Sequence, residues 1–180
     1  LKKLTKISSK KIGLLNIRGL ALDSRKTKKG YLFFAIKGSK FNGEKYIQEA
    51  IKKKSAAIIC SKNSTIKSHI IPVIKTNNVR QELAEICKKF YKNKPKNIIA
   101  VTGTNGKTSV ADFFHQILSI NKIPVASIGT LGIKKNKNIK QSNLTSPDII
   151  SLHKELSNLK KSKINNVIIE VSSHGLAQER

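Results

Sequence analysis

The sequence has no tryptophan and no methionine, and it has only two cysteines. Cys60 and Cys87 form no CxxC pair and have no histidine at metal-ligand spacing, which argues against a disulfide framework and a zinc site. We expect both to be ordinary core residues. No apolar run approaches the roughly 18 residues that cross a bilayer, and the first ten residues lack the apolar core of a signal peptide. A cytoplasmic location is therefore expected.

Acidic residues are also scarce, with ten Asp and Glu against 36 Lys and Arg, so the net charge is +26. Such a charge ordinarily indicates a polyanionic partner. However, lysines are scattered from end to end beside abundant Ile and Asn, and AT-rich codons explain this excess equally well. Runs such as 52–54 are typical of solvated helix faces, and at 5% aromatics few side chains could stack on bases. We expect no nucleic-acid partner, no membrane partner, and a monomer.

The ends of the sequence point to a larger protein. It begins at Leu1 without a methionine and stops at Arg180, directly after a motif-like stretch. At 180 residues it can hold one ordinary domain or two small ones, with enough apolar content for a core. These features predict a piece of a longer chain.

The most informative stretch is Val-Thr-Gly-Thr-Asn-Gly-Lys-Thr-Ser at 101–109, between a buried-strand pattern over 97–101 and a helix pattern over 110–120. A glycine turn before a helix N-terminus gathers N–H groups and partial positive charge, which suits a phosphate. Lys107 adds a charge for the distal phosphates, and the Thr108 hydroxyl can reach a magnesium ion. The spacing G-x-x-G-K-T is two residues shorter than the common P-loop. The predicted ATP or GTP ligands are Gly103, Thr104, Asn105, Gly106, Lys107, Thr108 and Ser109.

Alternating strand and helix patterns predict an α/β fold for the first half. A short strand at 19–22 leads into the turn Asp23-Ser24-Arg25, and a helix at 44–54 buries Ile47, Ala50 and Ile51. Other strands are expected at 31–36, 56–60 and 70–74, and a helix at 79–91. The polar stretch 92–96, which contains a proline, precedes the phosphate-loop strand. We therefore expect domains at 1–94 and 95–180.

The second half continues the α/β pattern as a mostly parallel sheet. A strand at 123–128 closes a βαβ unit, 129–141 is expected to be a flexible connection, and Pro147 is expected in the first turn of a helix. A last strand at 166–171 delivers Glu170 near its carboxyl end. Ligands of parallel sheets bind at that end, so Glu170 is expected to face the crevice of Lys107 and Thr108.

Four stretches together resemble the Mur ligase family, the ATP-dependent amide-forming enzymes of peptidoglycan synthesis, and within it the MurE type. They are 22–25 with 30–35, the loop at 101–108, 144–148, and 170–180. The loop alone marks the wider family, which includes folylpolyglutamate synthases. The segments Asp23-Ser24-Arg25 and E-V-S-S-H-G-L-x-Q-x-R point to the MurE type.

The resemblance implies a small α/β nucleotide-sugar-binding domain followed by the start of a P-loop-type ATPase domain. Lys107 and Glu170 would act in catalysis, with Thr108 and Glu170 on Mg²⁺. The implied substrate contacts are Leu22, Ser24, Ser39, Lys40, Phe41, Thr145, Ser146, Ser172, Gln178 and Arg180. Ser146 replaces the family's usual Thr but keeps the hydroxyl, and Leu144 falls where many relatives have Asn.

The implied reaction is ATP-dependent addition of a diamino acid, meso-diaminopimelate or L-lysine, to UDP-MurNAc-L-Ala-D-Glu through an acyl phosphate. The alternatives are another Mur ligase, a folylpolyglutamate synthase or, in a different class, a basic P-loop protein that binds nucleic acid. Individual residues also have structural explanations: Ser24 could simply cap a turn, and Glu170 could be a solvated carboxylate.

Overall fold

The structure is a computed structural model that describes residues 15–38, 42–130, 132–135, 138–140 and 148–172. The chain divides into two compact units, Leu1–Phe90 and Tyr91–Arg180. Each unit contains a sheet with helices, which confirms the predicted α/β fold. Within the described ranges, no helix has the length and apolar character that a membrane span requires.

The first unit contains a fully parallel sheet in the order β1-β2-β3-β4. Its strands are β1 (Gly19–Ala21), β2 (Tyr31–Phe34), β3 (Ala57–Ser61) and β4 (Val73–Thr76). Its helices are α1 (Ile47–Lys52) and α2 (Val79–Phe90), with short 3-10 turns at Ser24–Lys26 and Gly43–Tyr46. Ile47 and Ala50 of α1 pack against Phe33 and Ile58, so α1 covers one face of the sheet.

Two predicted elements of this unit differ in extent. The strand expected over 70–74 begins only at Val73, since Pro72 has no N–H for the ladder and Ile70 is 79% exposed. The helix expected over 44–54 is a 3-10 turn followed by α1. Cys60 and Cys87 are both buried and neither forms a disulfide, which confirms their expected place in the core.

The second unit contains a five-stranded sheet in the order β5-β9-β6-β7-β8. Its strands are β5 (Asn97–Val101), β6 (Val125–Gly129), β7 (Gly132–Lys135), β8 (Asn138–Lys140) and β9 (Asn166–Glu170). Its helices are α3 (Lys107–Ile120) and α4 (Ile149–Lys161). β5, β9 and β6 are parallel, whereas β7 and β8 form an antiparallel extension.

β9 lies between β5 and β6 although it comes last among the strands in the sequence. Leu156 and Leu159 of α4 pack against Val167 and Ile169 of β9 on one face of the sheet. Because strand side chains alternate between faces, Glu170 points to the opposite face, where α3 contacts all three parallel strands. The fold therefore turns Glu170 toward the helix that follows the phosphate loop.

Three expectations for this unit are corrected. The stretch 129–141 contains β7 and β8, so the expectation of a flexible connection is wrong where the structure describes it. The helix expected to have Pro147 in its first turn begins instead after Asp148. The Asp148 carboxylate caps α4 by accepting from the N–H groups of Ile150 and Ser151, and Pro147 itself lies outside the described residues. Finally, the expected burial of β5 is not found in the described part of the chain, where β5 is an edge strand of the sheet and Ile98 and Ile99 are each 41% exposed.

His153 on α4 predicts a pH-dependent stability. Its Nδ1 is buried without a hydrogen-bond partner among the described residues, and burial first, then the charge of Lys94, lower the pKa of His153 to about 4. The unfolded chain, titrating near pH 6.5, then binds more protons between pH 6.5 and 4, so stability rises with pH across this window. Allowing for solvent screening, we expect the free energy of unfolding to fall by about 2 kcal/mol from pH 7 to pH 4.

Urea unfolding at pH 7, 5.5 and 4 measures this loss, with His153→Leu as the comparison. His115, whose pKa burial also lowers, remains in the variant, so the difference between the two proteins isolates His153. An unchanged pH dependence in His153→Leu would contradict the prediction.

Candidate nucleotide-binding site

The loop between β5 and α3 is shaped for an anion by its glycines. Gly106 is the N-cap of α3 and has a φ of 79°, in the left-handed region that favours glycine. No atom lies within 4 Å of where its Cβ would be, so the backbone conformation, not space, requires glycine. Because no side chain caps α3, the N–H groups of its first turn remain oriented toward the loop.

Lys107 is folded back over this loop. Its Nζ donates to the carbonyl oxygens of Gly103, at 2.6 Å, and Thr104, at 3.2 Å. These carbonyls are neutral, so a phosphate oxygen would form the stronger, charge-assisted hydrogen bond with the ammonium. The structure thus holds the positive charge beside the N-terminus of α3.

Glu170 meets the phosphate loop at the carboxyl end of β9. The Thr108 hydroxyl donates to its Oε2 at 2.8 Å, and the Thr130 hydroxyl, just after β6, donates to the same oxygen at 3.2 Å. The structure therefore brings Glu170, Thr108 and the loop together. Sequence reasoning missed Thr130, although its position directly after the carboxyl end of a parallel strand was an available signal.

These groups suit a cation that is shared with a nucleotide. Across the described ranges, no group of three or more His, Cys, Asp or Glu side chains could hold a metal by itself. Mg²⁺ is usually bound by one or two carboxylates together with phosphate oxygens and waters. The Glu170 carboxylate and Thr108 hydroxyl fit that second arrangement.

α3 is also tied to the antiparallel extension of the sheet. Lys134 of β7 donates to Asp112 at 2.6 Å, and this hydrogen bond is the main cause that lowers the pKa of the Asp112 carboxyl. His115, one turn further along α3, is buried. The ion pair fixes the helix at a position close to the loop that it follows.

In the first unit, Ser24 is buried, with 4% of its surface exposed, and donates to Glu49 Oε2 at 2.6 Å. This bond, and then one from Lys53, lowers the pKa of Glu49. Lys53 also donates to the backbone oxygens of Ser24 and Arg25, and Asp23 accepts from the Arg25 N–H. Because the Ser24 hydroxyl already donates its proton to Glu49, its oxygen can act only as a hydrogen-bond acceptor for another group.

The structure describes only some of the other substrate contacts that the sequence implies. Leu22 is partly buried beside Ser24, and Ser172 is partly buried two residues after Glu170. Those that lie outside the described residues are Ser39, Lys40, Phe41, Thr145, Ser146, Gln178 and Arg180.

Comparison with known proteins matches both halves of the chain to domains of Mur ligases. Residues 16–96 match the family described as "Mur ligase family, catalytic domain", and residues 101–180 match the "Mur ligase middle domain". The chain is 39% identical over 168 residues to a UDP-N-acetylmuramoyl-L-alanyl-D-glutamate–2,6-diaminopimelate ligase of Brucella melitensis, covering 93% of this chain and 34% of that protein. It is 42% identical over 164 residues to the Zymomonas mobilis protein of the same name, covering 91% and 33%.

A solved structure agrees with these sequence matches. It is a ligase of the same name with a TM-score of 0.75 and 28% identity, and the match covers 91% of this chain and 33% of that one. The chain therefore spans about a third of the length of these relatives.

Proposed function

The chain belongs to the Mur ligase family, and we propose that it is part of an ATP-dependent ligase of peptidoglycan precursor synthesis. The ligase would add a diamino acid to UDP-MurNAc-L-Ala-D-Glu, with residues 1–94 binding the nucleotide sugar and 95–180 forming the first part of the ATPase domain. The relatives' names favour diaminopimelate over L-lysine. The observation that supports it most is the Thr108–Glu170 contact at the phosphate loop.

The loop residues account for nucleotide binding in this proposal. The N–H groups at the start of α3 bind phosphate oxygens, and the Lys107 ammonium moves from the Gly103 carbonyl to the distal phosphates. Thr108 and Glu170 would hold Mg²⁺, which would neutralise the charge that develops on the transferred phosphoryl group.

The reaction itself proceeds in two displacements. The D-glutamate side-chain carboxylate attacks the γ-phosphorus of ATP, the bond to the β-phosphate oxygen breaks, and an acyl phosphate and ADP form. The amine of the diamino acid then attacks the acyl carbon, phosphate leaves, and the amine proton passes to solvent. Lys107 stabilises negative charge in the first step and needs no covalent bond to substrate.

The first unit would position the nucleotide sugar through the turn after β1. We propose that Leu22 contacts the uridine end and that the Ser24 oxygen accepts a hydrogen bond from it, because its proton is already donated to Glu49. Ser39, Lys40 and Phe41 would lie near this end, while Thr145, Ser146, Ser172, Gln178 and Arg180 would hold the muramoyl peptide. ATP and nucleotide sugars are cytoplasmic metabolites, so we propose that the enzyme acts in the cytoplasm.

Two binding measurements on the full-length protein test this function. We expect the UDP-sugar dipeptide to raise Tm by several degrees at a hundredfold excess over Kd, since it binds only the folded state. A basic nucleic-acid-binding protein would instead bind RNA or DNA with an affinity that falls steeply with salt. Strong nucleic-acid binding without a Tm response to the nucleotide sugar would reject the proposed function.

A further inference from the structure

Gly129, the last residue of β6, lies directly beside the carboxylate of Glu170. A Cβ at Gly129 would lie 2.0 Å from Oε1 of Glu170 and 2.4 Å from its Cδ, far inside van der Waals contact. Its φ is not among the positive values in the chain, so the backbone does not require glycine here. The absence of a side chain at Gly129 therefore makes room for the Glu170 carboxylate.

Thr130 restrains the same carboxylate from the side of β6. Its hydroxyl donates to Oε2, the oxygen that also accepts from Thr108 of α3. Oε1, which lies over Gly129, receives no hydrogen bond from the residues that the structure describes. One carboxylate oxygen is thus held by two hydroxyls, one from α3 and one from the residue that follows β6.

We propose that Gly129 and Thr130 are positioning residues that fix the rotamer of Glu170 and so keep its carboxylate beside Thr108, where the two residues would hold the cation that accompanies the nucleotide. This inference rests on the proposed function. Thr130 holds Oε2 independently of Thr108, so the carboxylate stays in place when the Thr108 hydroxyl engages the cation. Restraining a metal-binding carboxylate in this way typically changes metal affinity by 10- to 100-fold.

The test compares Thr130→Val, which loses the hydroxyl, with Thr130→Ser, which keeps it, in the full-length protein. We expect Thr130→Val to raise the Mg²⁺ concentration for half-maximal binding of a fluorescent ATP analogue about tenfold, with binding of the metal-free analogue unchanged. Thr130→Ser should restore the wild-type Mg²⁺ requirement. Gly129→Ala should raise it about a hundredfold, because the carboxylate is displaced.

Thr76→Val, at the end of β4 in the first unit, is the matched control and should leave the Mg²⁺ requirement unchanged. Thr130 is exposed, so Thr130→Val remains informative if Gly129→Ala fails to fold. Equal Mg²⁺ requirements in Thr130→Val, Thr130→Ser and wild type would overturn the positioning role alone. A wild-type protein that binds no Mg²⁺-nucleotide would overturn the proposed function as well.

Discussion

Lys107→Ala is expected to lower kcat for ATP-dependent ligation by the full-length enzyme about a thousandfold. The charge of Lys107 stabilises the phosphoryl group mainly while it is being transferred, so most of the loss should fall on kcat. The ammonium already lies at the loop, bonded to the Gly103 and Thr104 carbonyls, and it needs only to exchange these for phosphate oxygens. Steady-state kinetics with the nucleotide sugar, the diamino acid and ATP measure this effect.

The control for Lys107 is Lys96→Ala, which removes the same charge from an exposed position just before β5. We expect Lys96→Ala to keep near-normal turnover, because a lysine at the opposite end of the strand is far from the phosphates. Both variants should retain the Tm of the parent, since surface substitutions usually change stability by less than about 0.5 kcal/mol. Near-normal turnover in Lys107→Ala would refute the assignment of the loop as the ATP site.

Glu170→Gln is expected to have the second largest effect, a fall in kcat of about a hundredfold or more at saturating ATP. Glutamine keeps the shape and can still accept from Thr108 and Thr130, so the variant removes the charge and little else. Affinity for Mg²⁺-nucleotide should fall, while affinity for the metal-free nucleotide should stay equal or rise, because a negative charge next to the phosphates is gone. Titrations of Mg²⁺ at fixed ATP separate these two quantities.

Glu155→Gln on α4 is the matched control, since it makes the same change in the same unit away from the loop. It should leave the Mg²⁺ dependence unaltered. If Glu170→Gln required no more Mg²⁺ than the parent, Glu170 would have no role in binding the cation.

Apolar spacing in the sequence predicted helices and strands well where the residues that carry the pattern are close together in the chain. The apolar spacing of Ile47 and Ala50 correctly identified the buried face of α1, because helical period alone decides which side chains share a face. The same reasoning did not recognise β7 and β8. The lysines of this stretch were interpreted as a polar connection, whereas Lys134 lies in β7 and pairs with Asp112 of α3.

β5 shows the opposite error. Its apolar run was interpreted as a buried strand, yet burial depends on what lies beside a strand, and among the described residues no strand pairs with the second edge of β5. Hydrophobicity predicts that a strand tends to be covered but does not say which segment covers it.

The sequence by itself determined the phosphate loop, because the strand, the two glycines, Lys107 and Thr108 are contiguous and the conformation they require is local. The position of Glu170 at a strand end also led us to expect it near Thr108, but only the tertiary structure gave the hydrogen bonds that hold its carboxylate. Thr108 lies 62 positions away and Thr130 lies 40 away, and they meet it because β9 pairs between β5 and β6. Strand order results from non-local pairing and packing between segments that no local pattern links, so the contacts of Gly129 and Thr130 with Glu170 became visible only in the folded sheet.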